Sequence, residues 1–269
     1  MSIYKFSDFV EVYRAKAKSK DINELTGRTG RPDLTNFVID KVISKFAFKK
    51  DDVVVDIGCG DALLLQKISQ KNVDGRIGRL IGVLPTIEEI IKVHGHLLIK
   101  DPSASGKISI ELGLLDNLSN IPDNYSDKTI SNSTFHILQT EVVVDQALAE
   151  VKRITKKGGV IFIGELPAVN EFDGKNYGDS ILQWLYWVLK NQGFKMFWLR
   201  LKQTLIGIFS KEPFIIAPKR IFYMKPETFV RKLENLGFKV ADFHKHIEID
   251  TNGNEHESLT RWDYLLINQ

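Results

Sequence analysis

Residues 51–69 read DDVVVDIGCGDALLLQKIS. Val53, Val54 and Val55 are consecutive, β-branched and apolar, the pattern of a parallel strand buried on both faces. Asp56-Ile57-Gly58-Cys59-Gly60-Asp61-Ala62 follows at once. Two glycines this close let the main chain turn tightly and let a ligand approach the backbone. The residues after Ala62 predict an amphipathic helix. Strand, glycine turn and helix form the opening unit of sheets that bind nucleotides beyond the carboxyl ends of their strands.

The flanking sequence keeps that rhythm. Upstream, residues 33–47 carry Leu34, Phe37, Val38, Val42, Ile43 and Phe46 at helical spacing. With the polar, basic residues 1–30, they predict an N-terminal helical cap over 1–47. Downstream, strands are expected at 79–83, 108–112, 127–131, 160–163, 238–243 and 264–268. Helices are expected from Thr86, with Pro85 at its start, over Glu141 to Thr155, and over 226–237, with a Pro start and a Gly stop. The turn Lys156–Gly159 (KKGG) closes the helix before the fifth strand. Alternation of this kind predicts one α/β domain over 1–269. It is a Rossmann-like, seven-stranded, mostly parallel sheet with helices on both faces.

Composition bounds the function. Of 269 residues, 43% are hydrophobic and 26% charged, ordinary for a folded globular chain. The one cysteine, Cys59, excludes a disulfide framework and a Cys-rich zinc site. It reads as a small buried filler, since no partnered base is evident. No signal-type apolar run opens the sequence, and no stretch reaches the length of a spanning helix. A net charge of +3 is too small to argue for nucleic acid. A cytoplasmic location is expected.

The segment VVVDIGCGDALLLQKIS resembles the first motif of class I S-adenosylmethionine-dependent methyltransferases. Residues 120–138, NIPDNYSDKTISNSTFHIL, resemble that family's fourth-strand region. Residues 147–165, ALAEVKRITKKGGVIFIGE, resemble its following helix and fifth strand. The pieces occur in the family's order and spacing, in the manner of the methyltransferase type 11 domain. The resemblance implies S-adenosylmethionine as cofactor. It places the Gly58–Gly60 turn beneath the methionine part, with Cys59 inside that turn. Asp56 would order the turn or reach the amino group through water, and Asp61 and Ala62 would lie beside the ligand. Ser131, Asn132 and His136 would face the reactive methyl.

Two positions depart from the family pattern. Leu84 stands where an acidic residue, at the end of the second strand and just before Pro85, would accept the ribose hydroxyls. Leu114, before Leu115, stands where an Asp beside the adenine is often found. Three accounts are open: neighbours such as Glu88 or Asp116 take over, backbone and apolar contacts suffice, or the pocket holds something else. A carboxylate hydrogen bond is worth about 1.5–3 kcal/mol, or roughly ten- to a hundred-fold in affinity. An NAD-binding reading fares worse, because Ala62 stands where the third glycine of that fingerprint belongs, and the ribose acid is missing.

The acid–base candidates are His136, after the fourth strand, and Glu165, at the end of the fifth, where function collects in such sheets. His244 and His246 share one side of a strand, but without a third ligand they make no metal site, and none is expected. His94 and His96 read as solvent-facing. TGRTGRPD, residues 26–33, offers Arg28 and Arg31 to close over the pocket and grip a carboxylate or phosphate.

Residues 184–223 break the rhythm. They hold ten aromatics and seven Lys or Arg against one acid, Glu212, so the segment is +6 and the rest of the chain −3. A helical insertion over 176–223, broken near Gly193, is expected after the fifth strand. It reads as a lid over the acceptor, a peripheral membrane contact or a homodimer surface. Interleaved Leu201, Leu205 and Ile206 argue against nucleic acid. The expected function is methyl transfer to O or N of a small-molecule, sugar or lipid-linked acceptor. The alternative is a non-catalytic methyltransferase-like binding or scaffolding protein that works through the insertion.

Overall fold

A computed structural model describes residues 9–28, 30–71, 78–100, 102, 106–138, 140–168, 181–209 and 222–269. Residues 1–8 of the expected cap, and 176–180 and 210–221 of the expected insertion, lie outside them. Seven strands form one sheet in the order β3-β2-β1-β4-β5-β7-β6. They are β1 (Val53–Ile57), β2 (Arg79–Leu84), β3 (Ile108–Leu112), β4 (Ser126–Asn132), β5 (Thr155–Pro167), β6 (Phe238–Ile249) and β7 (Glu255–Asn268). The first five pair in parallel, and β7 runs antiparallel to both β5 and β6. The mostly parallel α/β architecture expected from the sequence is therefore present.

Helices cover both faces because alternate strand residues point to opposite sides. On β1, Val54 enters one hydrophobic cluster, while Val55 and Ile57 enter the other. The Val54 face is packed by α2 (Pro32–Ser44), α3 (Leu63–Lys71) and α4 (Ile87–Lys100). The Val55 face is packed by α5 (Glu141–Ile154) and α7 (Pro226–Asn235). On α5, Val144, Ala147, Leu148, Val151 and Ile154 are buried at helical spacing, and Thr140 caps its start by accepting from Val143 N at 3.3 Å. Two further helices lie among the described residues: α1 (Phe9–Ala17), near the N-terminus, and α6 (Ile181–Phe209), between β5 and α7. Gly193 breaks α6 with φ 81° and ψ 174°, at the position the sequence marked.

Three extents differ from expectation. The fifth strand starts at Thr155, because the KKGG turn is a register shift within β5 rather than a gap before it. Lys156 Nζ holds Asp127 at 2.8 Å there, and Asp127 in turn accepts from Val53 N at 2.9 Å. The last two strands are longer than read. They continue past the sheet as a polar hairpin, turned by Asp250, which accepts from Asn252 N and Asn254 N, and by Gly253 at φ 87°. Polar residues on an exposed ladder give little hydrophobic alternation, so the sequence marks only the more apolar parts of these two strands.

Arg153 joins α5 to the loop before β4. It donates to the carbonyls of Leu118 and Ile121, both at 2.9 Å, and to Glu150 and Asp123. Arg153→Met is expected to lower the free energy of unfolding by about 2 kcal/mol in urea titration. An unchanged midpoint would show that water replaces these bonds without cost.

Candidate functional site

The turn after β1 is built from three left-handed residues, Gly58 (φ 76°), Gly60 (φ 57°) and Ala62 (φ 59°). Gly58 N and Cys59 N both donate to Val83 O, at 2.9 and 3.3 Å, which ties the turn to β2. A Cβ on Gly58 would sit 2.5 Å from Thr134 Oγ1, so the position admits only glycine on space as well as φ. Asp61 caps the following helix by accepting from Leu63 N at 3.1 Å. Cys59 is buried and lies against Gly82 of β2, and burial pushes its thiol pKa well up. It is a filler, not a nucleophile.

Beyond this turn opens a cleft of about 1050 Å³, its mouth included. Leu84, Pro85, Leu114 and Leu115 form an apolar wall at the ends of β2 and β3. Asn132, Ser133 and Thr134 bound the opposite side, after β4. Tyr13 of α1, and Leu25, Thr26 and Arg28 of the following 3-10 turn and loop, close it from above. Asp56, Asp61, Glu89 and Asp116 supply the acids.

Asp56, Asp61 and Glu89 are buried carboxylates, and none forms an ion pair among the described residues. Burial, and then the charge of Asp61, push Asp56 up to about 7. Burial also raises Asp61, against the pull of its own helix-start hydrogen bonds. Glu89 is driven to about 7 by burial, although Thr86 Oγ1 donates to its Oε2 at 2.6 Å. Glu89 N donates back to Thr86 Oγ1 at 3.2 Å. The sequence carried the signal for this pair: Thr86-Ile87-Glu88-Glu89 has the T-x-x-E spacing of a capping box. The sequence reading nevertheless names Glu88 and Asp116, not Glu89, as the neighbours that could take over from the missing acid. That reading is corrected: Glu88 is half exposed, lies 3.4 Å from Arg14 and does not line the cleft. Asp116 does line it.

The remaining candidates divide. Ser131 is buried on β4 with its Oγ unpartnered among the described residues, and it stands behind the lining rather than in it. His136 sits in a 3-10 turn, Phe135–Ile137, with Nδ1 buried and without a partner among the described residues. Burial, and then Arg261, hold its pKa down at about 3, so the imidazole is neutral.

Glu165 lies one layer behind the cleft, at the strained value φ 58°. Its carboxylate pairs closely with Arg28. It also accepts from Asn132 Nδ2 at 3.1 Å and stands 3.9 Å from His246 Nε2. Burial would raise its pKa, but Arg28, His246 and Arg261 together keep it below the ordinary carboxylate range. Its backbone is held too: Glu165 N donates to Asp263 at 2.9 Å, and its carbonyl accepts from Arg261 at 2.8 Å. Asp263 also lies 3.0 Å from His246 Nδ1. Burial opposes the charged form of His246, yet Glu165 and Asp263 raise its pKa.

His244 is turned away from His246, towards Lys45 Nζ at 2.8 Å. Among the described residues no group of three metal-type side chains is assembled. Arg31 does not reach the cleft; it donates to the carbonyls of Ile249 and Asp250 in the hairpin. His94 and His96 are half-buried rather than solvent-facing, and His96 is near enough to act on the charge of Asp61.

Arg28→Met is expected to cost about 3 kcal/mol, because it removes the closest cation from a buried carboxylate. Adding Glu165→Gln should restore part of that loss. Strict additivity in a double-mutant cycle would rule out coupling between the two.

Sheet, glycine turn and cleft are those of the class I S-adenosylmethionine-dependent methyltransferase fold. Residues 55–163, from the strand before the glycine turn to β5, match the family model described as "Methyltransferase domain". That match spans the parallel part of the sheet and agrees with the resemblance read from the sequence. An S-adenosylmethionine-dependent methyltransferase from Aquifex aeolicus superposes with a TM-score of 0.55 at 15% identity, over 93% of this chain and 100% of its own. A chain of the complex between the Haloferax volcanii Trm112 methyltransferase activator and a methyltransferase gives 0.60 at 14%, over 92% and 93%. The [4+2]-cyclase SpnF gives 0.55 at 14%, over 82% of this chain and 63% of its own. Identities this low speak for the fold alone. No curated protein matches the sequence.

Proposed function

We propose that this chain is a cytoplasmic enzyme that binds S-adenosylmethionine in the cleft and methylates O or N of a small-molecule, sugar or lipid-linked acceptor. The observation that carries this reading is the set of three buried carboxylates, Asp56, Asp61 and Glu89, none of them ion-paired among the described residues, around a turn where the backbone lies bare. Uncompensated buried anions favour a cationic ligand. S-adenosylmethionine carries a sulfonium and an ammonium, and its adenine suits the wall of Leu84, Pro85, Leu114 and Leu115. The residues present therefore fit the group.

In this reading Gly58, Cys59 and Gly60 pass beneath the amino-acid part, while Asp56 and Asp61 balance its charge. Glu89 takes the ribose hydroxyls in place of the acid replaced by Leu84. Bound S-adenosylmethionine supplies an electrophilic methyl group. What the protein adds is mainly alignment and exclusion of water. Asn132 sets the β4 side of the acceptor site, and Ser131, buried behind it with Oγ unpartnered among the described residues, backs that wall. His136 lies outside the cleft lining and its pKa is held at about 3, so its neutral ring serves as a hydrogen-bond acceptor that orients the attacking O–H or N–H, whose proton passes to solvent. Glu165 is too firmly held as an anion to be that base. It fixes Arg28 and Asn132, a positioning role. Residues 1–47 serve as the cap of a single domain.

The test is calorimetric titration with S-adenosylmethionine and S-adenosylhomocysteine, followed by a screen for labelled methyl transfer. Micromolar binding is expected. Failure of both ligands to bind would leave the scaffolding reading, which Leu84 and Leu114 favour.

A further inference from the structure

The two halves of α6 carry an apolar face that nothing among the described residues covers. Leu182, Tyr186 and Leu189 are exposed at spacings of four and three. After the break at Gly193, Phe194, Trp198, Leu205 and Phe209 are exposed at spacings of four, seven and four. Each set therefore forms one stripe along its helix. Leu185, Val188, Met196 and Thr204 are buried on the sides that face the domain. Phe209 is 84% exposed and Phe194 65%, far more than isolated surface aromatics in a finished fold require.

Charge identifies the partner. Over its 29 residues α6 has Lys190, Lys195, Arg200 and Lys202 and no acid. The three lysines are exposed. Lys195 and Lys202 fall at the margin of the second stripe, about a quarter-turn from its centre by helical spacing. Apolar aromatics along the centre with lysines at the edge suit a helix lying in a lipid headgroup layer, where lysine stems extend along the apolar face to reach phosphate. Two copies of this face would bring like charges together, which disfavours a two-fold dimer. No helix is long and apolar enough to cross a membrane.

We propose that α6 docks this protein on the surface of an anionic lipid bilayer. The side of α6 away from this face reaches the edge of the site. Leu199 of α6 lies against Gly30, beside the Arg28 loop that closes the cleft. An acceptor that reaches the cleft from this side is therefore an amphiphile held in the bilayer. That last point rests on the proposed methyl transfer; the docking itself does not.

The test is flotation of the whole protein with vesicles of phosphatidylcholine alone, or with about one third phosphatidylglycerol. Binding to the anionic vesicles only, weakened by salt, is expected. Phe194→Ser with Phe209→Ser should abolish it, and both sites are exposed enough to leave the thermal midpoint unchanged. Lys190→Gln, Lys195→Gln and Lys202→Gln together should weaken it about a hundred-fold, at roughly five-fold per lysine. No flotation at low salt, or flotation unaffected by these changes, overturns the proposal. So does a dimer in analytical ultracentrifugation that the Phe substitutions dissolve. S-adenosylmethionine titration of the same sample separates the readings. Cofactor binding without flotation removes only the docking, and flotation without cofactor binding removes only the methyltransferase reading.

Discussion

Glu89→Gln is expected to weaken S-adenosylmethionine binding ten- to a hundred-fold while leaving the ligand-free protein at least as stable. The two effects have separate causes. A carboxylate that accepts from ribose hydroxyls is worth about 1.5–3 kcal/mol, and a neutral amide keeps only part of that. In the ligand-free fold, however, the carboxylate is 1% exposed and unpaired by any cation among the described residues, so its charge is a cost. Gln is of similar size and can still accept from the Thr86 hydroxyl. Glu88→Gln, at the surface beside Arg14, should change neither quantity. Leu84→Asp makes an informative contrast. It puts an acid where the family usually has one, but Leu84 is itself 1% exposed, so that variant should lose about 2 kcal/mol or more of stability. Native affinity in Glu89→Gln would show that the ribose is held elsewhere, with Asp116 the next candidate.

The affinity for S-adenosylmethionine should also rise with pH and level off above about 7. Asp56 and Glu89 both titrate near 7, against ordinary values of 3.8 and 4.5. A cationic ligand prefers the ionised forms. Below 7, each proton released on binding makes the affinity fall by up to roughly ten-fold per unit of acidification. Stability of the ligand-free protein runs the other way. Between the unfolded and folded values the native state holds protons that the unfolded chain has given up. The contribution of these groups is therefore full below about 4, falls as pH rises, and is lost beyond about 7. The span is on the order of a few kcal/mol per group. Asp56→Asn should flatten one step of each profile. Calorimetry and thermal melts between about pH 5.5 and 8 read both. A dissociation constant that does not change over that range would mean the acids do not meet the ligand's charge.

Much of the molecule was legible because its determinants are local. Three consecutive valines and a glycine pair define a buried strand and a turn within ten residues. Pro at the start of α2 and α7, and Thr140 at the start of α5, mark helices by chemistry that acts over one turn. The site was less legible where it depends on distance. Glu165 was found from its place at a strand end, but what disables it as a base is Arg28, 137 residues earlier, and His246 on another strand. Nothing in either neighbourhood announces that meeting. Glu89 had a local signal, but its position in the cleft follows from how α4 sits against β2. His244 and His246 read as alike, and only their tertiary neighbours separate them, Lys45 at the end of α2 for one and Asp263 of β7 for the other.

The sheet order bears on how the chain is made. β6 is synthesised before β7, yet it bonds to the sheet only through β7, which fills the place beside β5. A nascent chain that ends anywhere before Glu255 therefore has β6 with no seat, and β5 with one edge bare. Asp263, the residue that holds Glu165 and His246, arrives in that same late stretch. The parallel half can assemble on the ribosome while this cluster waits, so a premature stop after residue 254 would leave the cleft beside a Glu165 that lacks Asp263 and Arg261.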